Sequence, residues 1–307
     1  GFYKILLTNL PAETDVFDLK IIGNVDIDYI IDPNSVTWGG ATNGNWSVAA
    51  NWTGGVAPAA GDDLVFPSGA SNLSNTNDLT IGTSFNSITI SGSGYTLAGN
   101  DIILGQGAAG ITDSTTSGAS TISLNILFAT VRTITVTNAA ETLTISGAIS
   151  GVNGGITKEG NGKLILSGAN SYTGAVAINT GVLNIQNATG LGTITAGTTV
   201  LPAAALEIQG GITVLQEALT LYGTGVSSGG ALRNISGSNT FGGAVTLIDA
   251  NGATIASDSG TLTMTGGVSG ATFPLTIDGA GNVTFTTAPI ANTSGVLNKN
   301  GAGTLTL

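Results

Sequence analysis

Neither cysteine nor histidine occurs in the 307 residues. The first absence excludes disulfides and thiolate metal sites; the second removes imidazole ligands and every Ser-His-Asp or Cys-His catalytic arrangement. Charge is scarce, at 8% of residues, and cations are scarcest: Lys and Arg total 7 against 18 Asp and Glu, for a net charge of −11. Phosphate backbones and anionic lipid surfaces are held by clustered cations, so this balance argues against nucleic acid and against a membrane surface as partner. Aromatic residues make up 5% of the chain and there is a single Met, too little to fill a thick core, yet the mean hydropathy is +0.37. No apolar run approaches the roughly 20 residues a transmembrane helix needs. The longest, Ile126 to Val131, has the length of a strand. No stretch shows a 3.6-residue apolar period, and no helix is expected.

What remains is a chain of small and β-branched residues with 48 glycines, suited to thin stacked layers. Short alternating runs recur from Leu79 onward, at Ile88, Ile102, Ile122, Ile134, Leu143, Leu164 and Val182. Leu206, Leu219, Leu232 and Val245 then follow at intervals of 13 residues. If two strand-and-turn units make one coil, a coil holds roughly 20 to 26 residues, in the range of solenoid repeats. Alternation by itself fits antiparallel β-sandwich modules equally well.

One stretch repeats. Ile156 to Leu166 reads apolar, three residues, Gly160, any, Gly162, any, then Leu164 and Leu166; the same spacing recurs from Leu275 to Phe285 and from Leu297 to Leu307. The first copy continues through Ser167-Gly168-Ala169-Asn170-Ser171-Tyr172-Thr173-Gly174 to Gly181 and Leu183. In this it resembles the autotransporter-associated β-strand repeat, or passenger-associated transport repeat, of very large bacterial surface and secreted proteins. A second stretch is similar to the segment that opens repeat arrays in the same proteins. It runs from Thr37-Trp38-Gly39-Gly40 through Asn45-Trp46 and Asn51-Trp52-Thr53-Gly54-Gly55 to Gly61-Asp62-Asp63 and Val65-Phe66.

The resemblance implies a right-handed parallel β-helix acting as a structural segment of an extracellular or cell-surface protein. It would be a stalk, filament or adhesin scaffold with no enzymatic chemistry and no cofactor. Its partners would be neighbouring repeats or copies of itself, with surface glycans as the alternative. A polysaccharide-cleaving β-helix enzyme is the weaker reading, because Arg132 and Arg233, the two arginines, have no acidic residue within seven positions.

The chain divides at Asp32-Pro33-Asn34, since a residue before proline is driven from helix and proline offers no donor. Residues 1–35 form an acidic, strand-rich segment, 36–66 a tryptophan-rich cap, and 67–307 the repeat region. Trp38, Trp46 and Trp52 are candidate glycan or cap contacts, as large rings either stack on sugars or cover the open end of a solenoid. Leu164, Leu166, Val176, Ile178, Leu183 and Ile185 should point inward. Leu307 falls inside a repeat, so the chain reads as part of a longer protein. In that longer protein the next repeat would complete the open end; were the 307 residues a whole subunit, Phe2, Ile5 and Leu7 would be the candidates for pairing with Leu305 and Leu307 of a neighbouring copy, head to tail.

Overall fold

The computed structural model describes residues 34–105, 110–291 and 294–307. Phe2, Ile5 and Leu7 lie outside them. The described chain is a parallel β-solenoid. Each circuit adds one strand to a twelve-stranded sheet and one to an eleven-stranded sheet. The first sheet runs from Ser35–Thr37 to Ile290–Ala291, the second from Ser74–Asn77 to Leu297–Lys299. Most circuits add a strand to a third side, which is built in two parts. Four strands from Thr83–Phe85 to Ile149–Ser150 form one part, and five from Thr213–Val214 to Leu305–Thr306 the other. The ladders are parallel, as at Leu64 beside Ile88 and Leu143 beside Leu164, which rules out the antiparallel sandwich. The single antiparallel contact among the described residues is the isolated bridge between Trp38 and Trp52.

Parallel register turns a circuit into a countable length, from 19 residues (Leu164 beside Leu183) to 28 (Ser35 beside Asp63). The 13-residue spacing now has a cause. Leu206 pairs with Leu232 in the second sheet and Leu219 with Val245 in the first, so each interval is the step from one sheet to the other.

The six apolar residues expected inside are all buried. Four stack on their like: Leu164 lies between Leu143 and Leu183, Leu166 between Ile145 and Ile185, and these two pass the row on to Leu206 and Ile208. Ile178 departs from the pattern, with Lys158 as its partner on one side and Val200 on the other. Two short 3-10 turns, Ala49–Asn51 and Val226–Ser228, are the helical elements of the described residues, against an expectation of none. Each is a single turn inside a loop, too short to leave an apolar period.

Candidate functional site

The repeat motif is a corner. Gly160 turns the chain at a positive φ of 77°, and a Cβ there would stand 2.2 Å from the Val136 carbonyl oxygen of the preceding coil. A Cβ on Gly162 would stand 2.5 Å from the Asn138 oxygen. Only glycine lets successive coils stack this closely. Gly301 and Gly303 meet the previous coil in the same way, at Gly279 and Gly281. The corner is not tied to one place in the circuit. From Ile156 it joins the first sheet to the second; from Leu275 and Leu297 it joins the second sheet to the third side.

Lys158 occupies an inward position and is fully buried. Its Nζ donates to the carbonyls of Glu159 (2.7 Å), Gly160 (2.7 Å) and, one coil on, Thr180 (3.2 Å). Burial pushes its ammonium down to about 8. Lys299 repeats the device, donating to Asn300 and Gly301.

The Asn170 and Tyr172 of the repeat lie where the third side has no strand, between Ile149–Ser150 and Thr213–Val214. Asn170 spans the gap: its Oδ1 accepts from Ile149 N (2.9 Å) and its Nδ2 donates to Gly190 O (2.8 Å). Tyr172 is buried beneath, its hydroxyl 3.1 Å from the same Gly190 oxygen. Irregular backbone thereby keeps the stack joined without strands.

The three tryptophans are brought together. Trp38 and Trp52 meet edge to face at 5.1 Å, and Trp46 lies 5.7 Å from Phe66 and 6.1 Å from Phe85. Their exposures are 0%, 0% and 2%, and each indole N–H donates within the protein: to Asn72 O, Asn75 Oδ1 and Trp46 O. Asn51 fastens the loop beneath them, accepting from Thr42 and Asn43 backbone N–H and donating to Asn45 O. Stacking on a sugar needs an open ring face, and these rings present none in this structure. Of the candidate pairing strands, Leu305 is seated against Val283 and packs on the core, while Leu307 is 74% exposed.

Charges meet through stacking rather than through sequence. Arg233 pairs with Asp258 at 2.7 Å and approaches Glu207 at 3.6 Å, while Lys163 reaches across the intervening strand to Glu207 at 2.8 Å. Inside the solenoid, Asp113 of the first sheet faces Glu141 of the second, both fully buried. Thr115 donates to Asp113 Oδ1, but no donor reaches Asp113 Oδ2 or either Glu141 oxygen. Burial, and then the Glu141 charge, push the Asp113 carboxyl up to about 6. Among the described residues no three acidic side chains gather as a metal would require, and no helix is long and apolar enough to cross a membrane.

Stacked glycine corners and parallel ladders define a parallel β-solenoid. The family described as Passenger-associated-transport-repeat matches residues 156–185 and 297–307, so the chain carries that repeat. It is also 36% identical over 262 residues to the adhesin BmaC autotransporter of Brucella suis biovar 1 (strain 1330). That match takes in 83% of this chain but 7% of the adhesin's length. No solved structure matches the chain.

Proposed function

We propose that this segment is a structural scaffold within a bacterial cell-surface or secreted protein of the adhesin kind, with no chemistry of its own. The observation that carries this is the uninterrupted twelve-strand parallel ladder, built on passenger-type repeats and similar over most of its length to part of an autotransporter adhesin. A quasi-one-dimensional stack holds its form by contacts between neighbouring coils, which suits it to carrying other parts of a protein away from a surface. The partners this implies are further repeats stacked in the same manner. The buried tryptophan cluster supports a second element of the proposal, that residues 36–66 close an apolar end of the solenoid.

The test is protease shaving of intact bacteria expressing the whole protein, with peptides identified by mass spectrometry. Release of peptides from residues 34–307 without lysis is expected, together with reduced surface attachment when that segment is deleted. Recovery of such peptides only after lysis would sink the proposal.

A further inference from the structure

A groove of about 630 Å3 opens on the third side, where the stack passes from irregular coils back to strands. One wall is residues 188–194; the other is residues 213–217. The strand Thr213–Val214 is the first of the five-stranded sheet and pairs only with Ser238–Phe241. Thr240 N donates to Ile212 O and Gly242 N to Val214 O, so the backbone groups of Ile212 and Val214 face that neighbour. Strand alternation then aims those of Thr213 and Leu215 into the groove. No backbone hydrogen bond joins the two walls among the described residues. Ile194 and Leu215, 58% and 66% exposed, stand on them.

Glu217 is the one ionisable residue lining this groove. Its side chain is 3% exposed. Oε1 accepts from Thr198 Oγ1 at 2.8 Å, and Oε2 has no hydrogen-bond donor from the described residues. A nearly buried carboxylate without a cation favours its protonated form, and a cation brought to its free oxygen restores the charged one.

We propose that this groove binds an extended segment of a partner polypeptide, added as a strand along Thr213 and Leu215, with a lysine side chain seated on Glu217. The strand edge selects an extended backbone and the single free oxygen selects a point-like ammonium over the two-pronged guanidinium. The aliphatic stem of a lysine has the exposed Ile194 and Leu215 to lie against while its head stays with the carboxylate. This inference stands apart from the scaffold proposal and survives its failure.

The test is fluorescence anisotropy of a labelled Thr-Val-Lys-Val-Thr peptide titrated with the full chain. Saturable binding is expected, about tenfold weaker when lysine is replaced by norleucine, and lost when alternate peptide nitrogens are methylated. Glu217→Gln should bind the lysine and norleucine peptides alike. Leu215→Pro, which removes an N–H facing the groove and spares the ladder to Ser238–Phe241, should abolish binding with the circular dichroism spectrum unchanged. Burial pushes Glu217 up to about 7, so lysine-peptide binding should tighten between pH 6 and 8. Tyr172, the titratable group against it, stays neutral there because burial pushes its phenol well above the ordinary value. Equal affinity for the lysine and norleucine peptides in the unmodified chain would overturn the proposal. So would undiminished binding of the methylated peptide, or displacement of the peptide by cadaverine at equal concentration.

Discussion

Lys158 and Thr180 lie on successive coils, and the Nζ of the first donates to the carbonyl oxygen of the second at 3.2 Å. The same ammonium holds the Gly160 carbonyl of its own corner, so one buried cation fastens two turns. Its ordinary value in an unfolded chain is about 10.4. Because burial lowers it to about 8 in the fold, the unfolded chain holds more protons between those values and stability rises with pH across that window. We expect the unfolding free energy from urea titrations to climb from pH 8 to pH 10.5, by on the order of a few kcal/mol. Lys158→Met should flatten the rise; an unchanged slope would show that Lys158 is not its source.

Asp113 works in the opposite direction. Its carboxyl is raised above the unfolded value, so it contributes stability that is complete below about pH 4 and lost as pH rises through about 6. Asp113→Asn keeps the acceptor used by Thr115 and gives Glu141 a permanent donor. We expect it to raise stability at pH 7 by on the order of 2 kcal/mol and to remove the dependence between pH 4 and 6. Destabilisation at pH 7 in chemical unfolding would contradict this account.

Two glycines with similar backbones separate conformational cost from steric cost. Gly54 has a φ of +91° with nothing within 4 Å of an added Cβ, whereas Gly160 has a φ of +77° with a carbonyl oxygen at 2.2 Å. Gly54→Ala should cost about 1 to 2 kcal/mol. Gly160→Ala should cost roughly 3 kcal/mol or more, since a coil must also move. Equal losses in denaturant titrations would mean that the coils are not in contact there.

The indole burial is directly measurable. Trp38, Trp46 and Trp52 should emit in the blue and resist acrylamide, with quenching rising only on unfolding. Quenching of the native protein as efficient as that of free tryptophan would place the rings at the surface.

Much of the fold was legible because its information is local. Alternation at Leu164 and Leu166, the glycine pair at 160 and 162, and the 13-residue interval from Leu206 to Val245 each report one strand or one corner. Stacking alone reveals the rest. Asp113 and Glu141 are 28 positions apart; alternation puts each on the inward face, in line with Ile111 and with Leu143 and Ile145, but only stacking brings the two carboxyls together. Lys163 reaches Glu207 over a whole intervening coil. Tyr172 and Asn170 were visible as part of the repeat, but not as the filling of a side that lacks strands. Nor could the motif reveal which corner it turns, since the copy at Ile156 and those at Leu275 and Leu297 use different ones. The tryptophans stood out by their clustering, and only packing shows that their faces are covered.

The two-part third side has a mechanical consequence. Backbone hydrogen bonds in this solenoid run along the stack, so a pull along that direction loads them end-on and opens the molecule coil by coil. Circuits with three strands resist with three ladders in parallel. The circuits that pass through residues 167–175 and 186–197 have two, supplemented by the few bonds of Asn170, Ser171 and Thr193. Under tension the coils between Ser150 and Thr213 are expected to part before their three-ladder neighbours. Extension there would lengthen the chain while leaving the coils on either side intact.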